Sequence, residues 1–204
     1  DPPPRVVAMT TSPAPAPLPY AVSRRYPHRY AVLDVETTGL NYTIHKIIEV
    51  AAINTRTGEV IAFCPAIDAL DLGNADGGAL QVNRYYERGA WRHRLTGEAT
   101  NAQYKKLSEM LEGNTFGGCN PTFDAEFLTE ASRQHLSTRP WHHRLADLSA
   151  FAGGALGIPP NELVGLADIC ERLGVDPGMS HSALDDAKAT AECFERLTVI
   201  RGAK

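Results

Sequence analysis

No stretch of this sequence approaches the roughly 20 consecutive apolar residues that a membrane helix requires, so the chain is not expected to span a bilayer. Positive charge is not in excess either: 24 acidic residues stand against 20 basic ones, a formal charge of −4. That excludes a protein whose whole surface coats nucleic acid, though not one that holds a nucleic-acid end in a local groove. Cysteine is scarce. Cys64, Cys119, Cys170 and Cys193 are spaced 55, 51 and 23 residues apart with no CxxC pair, which argues against a zinc finger or a dense disulfide framework. Four buried, reduced thiols are expected, and with them a reducing, cytoplasmic setting. What is present, 43% hydrophobic and 22% charged residues in a chain of 204, is the balance of one folded domain of ordinary size.

Proline is unevenly placed: eight of the fourteen fall before residue 28, including Pro13, Pro15, Pro17 and Pro19 at every second position. Such a segment cannot run a helix and has little to bury, so residues 1–26 are expected to form an extended, flexible tail ahead of a domain over 27–204. The same prolines interrupt the apolar core that a secretory leader would need. The opening residue, Asp1 in place of Met, suggests a processed or truncated chain.

From residue 29 the pattern changes. Tyr30–Glu36, Lys46–Ile53 and Glu59–Phe63 read as strands, the last two joined through Thr57-Gly58 as a hairpin. Short strands are expected at Thr115–Cys119 and His143–Asp147. Helices are expected over Gln103–Glu112, Phe123–Gln134, Leu148–Leu156, Leu163–Leu173 and Ser182–Thr198. Three meandering strands followed by alternating helices and strands imply an α/β fold with a mixed sheet and helices on both faces.

Within that frame the acids stand out. Asp34 and Glu36 are two apart in a strand, so both side chains leave the same face. Two carboxylates on one face of an apolar strand are costly unless a cation sits between them, and hard divalent cations prefer oxygen ligands. The alternative is that one acid lies at an exposed strand end and the other caps the next turn. Asp124, in Asn120-Pro-Thr-Phe-Asp124, stands where a strand passes into a helix and fits a first-turn acid as readily as a ligand. In His181-Ser-Ala-Leu-Asp-Asp186, Ser182 and Asp185 have the spacing of a capping box. Asp186 instead shares a helix face with Thr190, Cys193 and Leu197, an inward face that carries no basic residue.

Taken in order, Asp34-Val-Glu36-Thr-Thr-Gly39, Asn120-Pro-Thr-Phe-Asp124 and His181-Ser-Ala-Leu-Asp-Asp186-Ala resemble the three motifs of the DEDDh (DnaQ-like) 3′–5′ exonucleases. The resemblance covers about residues 29–200. The sister DEDDy group carries a tyrosine four residues before the last acid, where this chain has Ser182. The resemblance implies a ribonuclease H-like fold with a five-stranded mixed sheet. It implies two divalent ions, Mg²⁺ or Mn²⁺, held by Asp34, Glu36, Asp124 and Asp186, with His181 as general base. It also implies release of nucleoside 5′-monophosphates from a 3′ end.

By the same resemblance, Thr37, Thr38 and Gly39 would meet the 3′-hydroxyl, Leu40 would wedge beside the last base, and Phe123 would flank it. Asn120 and Asn83 would also lie near substrate. Arg84, Arg88 and Arg92 recur every four residues with aromatics between them, one stripe if helical, and either a solvated face or a track for single-strand phosphates. Arg139, Trp141, His142, His143 and Arg144 make a weaker cluster of the same kind. The expected partner is a single-stranded or frayed 3′ end, DNA ahead of RNA, with a DNA polymerase as a further candidate and no membrane. An exoribonuclease, a non-catalytic binding module on the same fold and a ribonuclease H-like endonuclease are the competing readings.

Overall fold

The computed structural model describes residues 30–135, 139–179 and 181–202; the proline-rich segment 1–26 lies outside them. Three antiparallel strands come first: β1 (Tyr30–Thr37), β2 (Ile47–Asn54) and β3 (Val60–Phe63). After an excursion containing the short helices α1 (Ala69–Gly73) and α2 (Gly77–Val82) and a 3₁₀ turn (Ala90–His93), the chain enters α3 (Gly97–Leu111). Then follow β4 (Thr115–Gly118), α4 (Pro121–His135), β5 (Ala146–Asp147), α5 (Leu148–Leu156), α6 (Leu166–Leu173) and α7 (Ala183–Gly202). The strands form one mixed sheet in the order β3-β2-β1-β4-β5, with β4 parallel to β1 and β5 parallel to β4.

The period-two alternation of β1 sorts its side chains between two apolar layers. Ala31, Leu33 and Val35 pack with Tyr104 and Leu107 of α3 and with Phe127 and Leu128 of α4. Val32, on the opposite face, packs with Leu148, Ile169, Cys193 and Leu197 of α5, α6 and α7. Helices therefore cover both faces, as the sequence implied. All eight residues of β2 are buried, which explains its nearly unbroken apolar run. A third, smaller cluster seats Tyr85 and Ala90 of the excursion on Ile48 at the start of β2.

Several expectations need correction. Strand β5 is two residues long rather than five: inside the expected segment the N–H of Arg144 bonds His142 Nδ1 at 3.2 Å, a local turn contact in place of a ladder bond. The helix read from Leu163 starts at Leu166. Helices α1 and α2 carry no apolar periodicity and bury no residue; they are started by side-chain caps from Asp68 and Asp76. All four cysteines are free, but only Cys170 and Cys193 are buried, while Cys64 and Cys119 are half-buried. No described helix is long and apolar enough to cross a membrane.

At Gly118 the end of β4 runs against β1. A methyl group there would stand 3.1 Å from the carbonyl oxygen of Leu33 and 3.2 Å from Pro121, whereas one on Gly117 would meet Phe194 and Ala146 at 3.5 and 3.6 Å. Gly118→Ala should therefore cost about 1–3 kcal/mol in urea unfolding, as overpacking does, and Gly117→Ala clearly less. Equal losses would contradict this account of the β4 end.

Candidate active site

Strand β4 pairs with β1 only as far as Val32 opposite Gly117, so among the described residues the β1 edge beyond it has no strand partner on that side. The N–H of Val35 is satisfied instead by a side chain: Asp124 Oδ1 accepts it at 2.9 Å. Pro121 begins α4, and Asn120 before it is exposed with φ of 61°, a left-handed conformation that asparagine tolerates. That turn carries Asp124, which is 4% exposed, onto the C-terminal half of β1, at Val35 between Asp34 and Glu36.

Asp34 and Glu36 lie on the α7 side of β1. Helix α7 packs on β1 and β2 through Ala187, Thr190, Cys193 and Leu197, and this brings the half-buried Asp186, in its first turn, to Glu36. Asp186 Oδ2 accepts the backbone N–H of His181 at 3.0 Å. That bond holds His181, exposed and left-handed with φ of 60°, over the same point. Ligand atoms of Glu36, His181 and Asp186 all lie within 4.8 Å of one another, a spacing that suits a shared cation.

Crowded and desolvated, these acids all bind protons more tightly than ordinary carboxylates do. Burial, then the charges of Asp124, Glu36 and Asp186, drive the Asp34 carboxyl well up. Burial pushes Glu36 to about 8, with Asp186 and Glu49 adding to it and Arg88 opposing. Asp124 is raised to about 7 by burial, against the pull of the Val35 N–H. Burial also raises Asp186, opposed by the His181 N–H and imidazole. Oxygen donors that are this protonated when alone are what a divalent cation would displace protons from.

Around this core the remaining residues fall into distinct settings. Thr37 and Thr38 are buried. The Thr37 hydroxyl donates to the Gly39 carbonyl at 2.7 Å, while Thr38 exchanges bonds with the Lys46 backbone through its N–H and its hydroxyl oxygen. Gly39 leaves room for the His45 imidazole, which a Cβ would meet at 2.5 Å. Leu40 is 79% exposed beside this loop, and Phe123 is half-buried, its ring 4.9 Å from that of Phe127.

Asn83 is 2% exposed and donates its amide to the Thr37 carbonyl at 3.1 Å, so it is fastened to the scaffold beneath the loop. The three arginines do not share a helix face. Residues 83–89 form turns, and Arg84 is exposed with φ of 51°. Arg92 is exposed with its guanidinium 5.1 Å over the Trp91 ring, and Arg88 turns inward. Trp141 of the weaker cluster is 7% exposed and is a core residue rather than a base-stacking one.

Two features had no counterpart in the sequence, and a third corrects an expectation. Arg88 forms an ion pair with Glu49, both side chains 11% exposed. Asp76 donates its N–H to the Thr38 carbonyl at 2.7 Å. The Asp185 carboxylate, expected to pair with Ser182, accepts the N–H of Met179 at 3.3 Å and pairs with Lys188 at 3.2 Å. A single acid inside the apolar run Ile47-Ile-Glu49-Val was the available signal for the first of these.

A family model described as Exonuclease matches residues 88–194, just over half of the chain. Among curated proteins, ribonuclease T of Enterobacter sp. (strain 638) is 29% identical over 177 residues, covering 80% of this chain and 78% of that protein. A PolC-type DNA polymerase III of Thermotoga petrophila is 26% identical over 176 residues, 82% of this chain but only 12% of the polymerase. Among solved structures, a product-bound exonuclease I superposes with a TM-score of 0.67 at 18% identity, over 86% of this chain and 44% of that one. E. coli exonuclease I in complex with a dA16 oligonucleotide gives 0.66 at 20% identity, over 86% and 42%. The chain thus spans less than half of the exonuclease I structures, and their likeness concerns the fold.

In the folded, metal-free chain Glu36 and Asp124 keep protons up to about pH 8 and about pH 7, whereas unfolded carboxylates release them near pH 4. Between those limits the folded state binds more protons, so stability must fall as pH rises. In EDTA the thermal midpoint should drop between about pH 4.5 and 8, and saturating Mg²⁺ should abolish the drop by supplying the neutralising charge. A midpoint that is flat in EDTA, or that falls equally with Mg²⁺, would contradict the crowding of the acids.

Proposed function

The chain belongs to the exonuclease family, of the DEDDh (DnaQ-like) 3′–5′ type, and from that premise we propose that it removes nucleoside 5′-monophosphates one at a time from single-stranded or frayed 3′ ends. The observation that carries the proposal is the convergence of Asp34, Glu36, Asp124 and Asp186, all with raised proton affinity, beside His181.

The donor set fits hard divalent cations, Mg²⁺ or Mn²⁺. Asp34, Glu36 and Asp186 would hold the first of two and Asp34 with Asp124 the second. When bound, such ions supply charge neutralisation at the scissile phosphate and lower the pKa of an attacking water.

The chain's own residues do the rest. His181 accepts a proton at an imidazole nitrogen, which sits within 4.8 Å of carboxylate oxygens of Glu36 and Asp186. Asp186, by accepting the His181 N–H, fixes where that ring can stand. The Thr37–Gly39 loop, braced by Lys46 and Asp76, faces the terminal sugar, and the exposed Leu40 lies against the last base. Arg84 and Arg92, both exposed, meet phosphates upstream.

DNA is the first substrate class. RNA 3′ ends are a second reading, favoured because the match to ribonuclease T runs through 78% of that protein, against 12% of the polymerase. Association with a DNA polymerase would follow only from the DNA reading.

Matched 5′-labelled DNA and RNA oligonucleotides with Mg²⁺ test the proposal. A ladder of single-nucleotide steps is expected, strongest on DNA and absent in EDTA. Internal cuts, no cleavage, or full activity in excess chelator would each overturn it.

Variants sharpen the assignment. Asp186→Asn should nearly abolish single-turnover cleavage, and His181→Ala should slow it by about 10²–10⁴-fold. Asp185→Asn, which loosens one bond to Met179 and one surface ion pair, should cost about tenfold at most. A dead Asp185→Asn beside an active Asp186→Asn would shift the third motif by one residue.

A further inference from the structure

Glu49 stands directly opposite Glu36 in the antiparallel β1–β2 ladder. Cross-strand partners leave the same face with Cβ atoms about 4.5–5.5 Å apart, and like charges so placed destabilise a sheet. Glu49 is 8% exposed, so water does little to screen it. What neutralises it is Arg88, whose guanidinium takes both carboxylate oxygens, Nη2 on Oε1 and Nη1 on Oε2 at 3.3 Å.

Arg88 has a second attachment. Its Nε donates to the carbonyl of Asn83 at 2.8 Å. Asn83 is the residue whose amide holds the Thr37 carbonyl and whose Oδ1 accepts the N–H of Tyr85. Tyr85 is fully buried against Ile48. One arginine thus ties the 83–89 turn to the ends of both strands that carry the site.

Resting on the exonuclease reading above, we propose that Arg88 is a positioning residue rather than a phosphate contact: by neutralising Glu49 and gripping Asn83 it leaves Glu36 alone to face the cation and fixes the Thr37 loop. Without it, Glu49 becomes a fifth carboxylate at the cluster, buried, unpaired and in competition with Glu36. Removing one partner of a buried pair is far more disruptive than removing both, because the survivor is left charged without water. Three of the five guanidinium N–H donors go to Glu49 and Asn83, and the side chain is only 11% exposed, so Arg88 offers little surface to a nucleic acid.

The test compares wild type, Arg88→Met and Glu49→Gln/Arg88→Met in three measurements. These are the thermal midpoint in EDTA, turnover of a labelled dT12 oligonucleotide in Mg²⁺, and the salt dependence of dT12 binding in EDTA. Arg88→Met should lose several degrees in midpoint and at least about tenfold in kcat, with KM changed less. Adding Glu49→Gln should recover a substantial part of both losses, the remainder being the Asn83 contact that Met cannot make. The double variant should also keep the wild-type slope of log Kobs against log[salt].

If the double variant is as impaired as the single one, the charge-pairing role is wrong. If its salt slope drops by about one, Arg88 contacts a phosphate and the proposal falls. Should Arg88→Met fail to fold, the double variant decides alone: it must fold, turn over and keep the slope. The stability measurement needs no substrate, so it judges the pairing even if the oligonucleotide measurements defeat the exonuclease reading.

Discussion

Four carboxylates brought to one end of one strand repel each other, and the structure is organised around making that repulsion tolerable. Asp34 feels Asp124, Glu36 and Asp186 at once, in a setting where burial alone already disfavours charge. Left to itself the cluster takes up protons, as the upward shifts of Glu36 and Asp124 express. The same crowding that costs stability in the bare chain would give a divalent cation its grip, because the cation would replace several protons with one compact double charge.

Holding the acids together requires a scaffold stiffer than their repulsion. The sheet supplies it by being covered on both faces, so that β1 and β2 cannot slide: a one-residue slip would turn Asp34 and Glu36 into the α3–α4 layer and Leu33 and Val35 out of it. Asp124 is fixed by a backbone N–H that the sheet leaves free, and Asp186 by a helix whose inward face is small and apolar. The excursion between β3 and α3 contributes through polar bonds, chiefly Asn83 to Thr37 and Asp76 to Thr38.

Much of this was legible in the sequence because it is local. Alternation in Tyr30–Thr37 gives a strand with two acids on one face, and the register of Asp186 with Thr190, Cys193 and Leu197 gives an inward carboxylate. What escaped was whatever depends on contacts between distant segments. Glu49 reads as an odd acid in an apolar run, and only the ladder puts it opposite Glu36. Arg88 reads as one of three evenly spaced cations, and only the turns at 83–89, with Arg84 left-handed, point it inward while Arg84 and Arg92 face solvent. Helices α1 and α2 bury no residue, so they lack the periodicity by which a helix announces itself, and their capping aspartates are too common a residue to mark them.

The claim on which the rest turns is that the acids share protons until a cation takes their place. It is tested most directly by titrating the metal-free chain with Mn²⁺ at pH 7 in buffers of different ionisation enthalpy and counting protons by calorimetry. Release of about one to two protons per chain on binding is expected, falling towards zero in the Asp186→Asn chain as metal binding itself is lost. Tight Mn²⁺ binding by the wild-type chain with no proton release would contradict the account, since it would mean that the carboxylates were already ionised and the cluster not crowded in the way described.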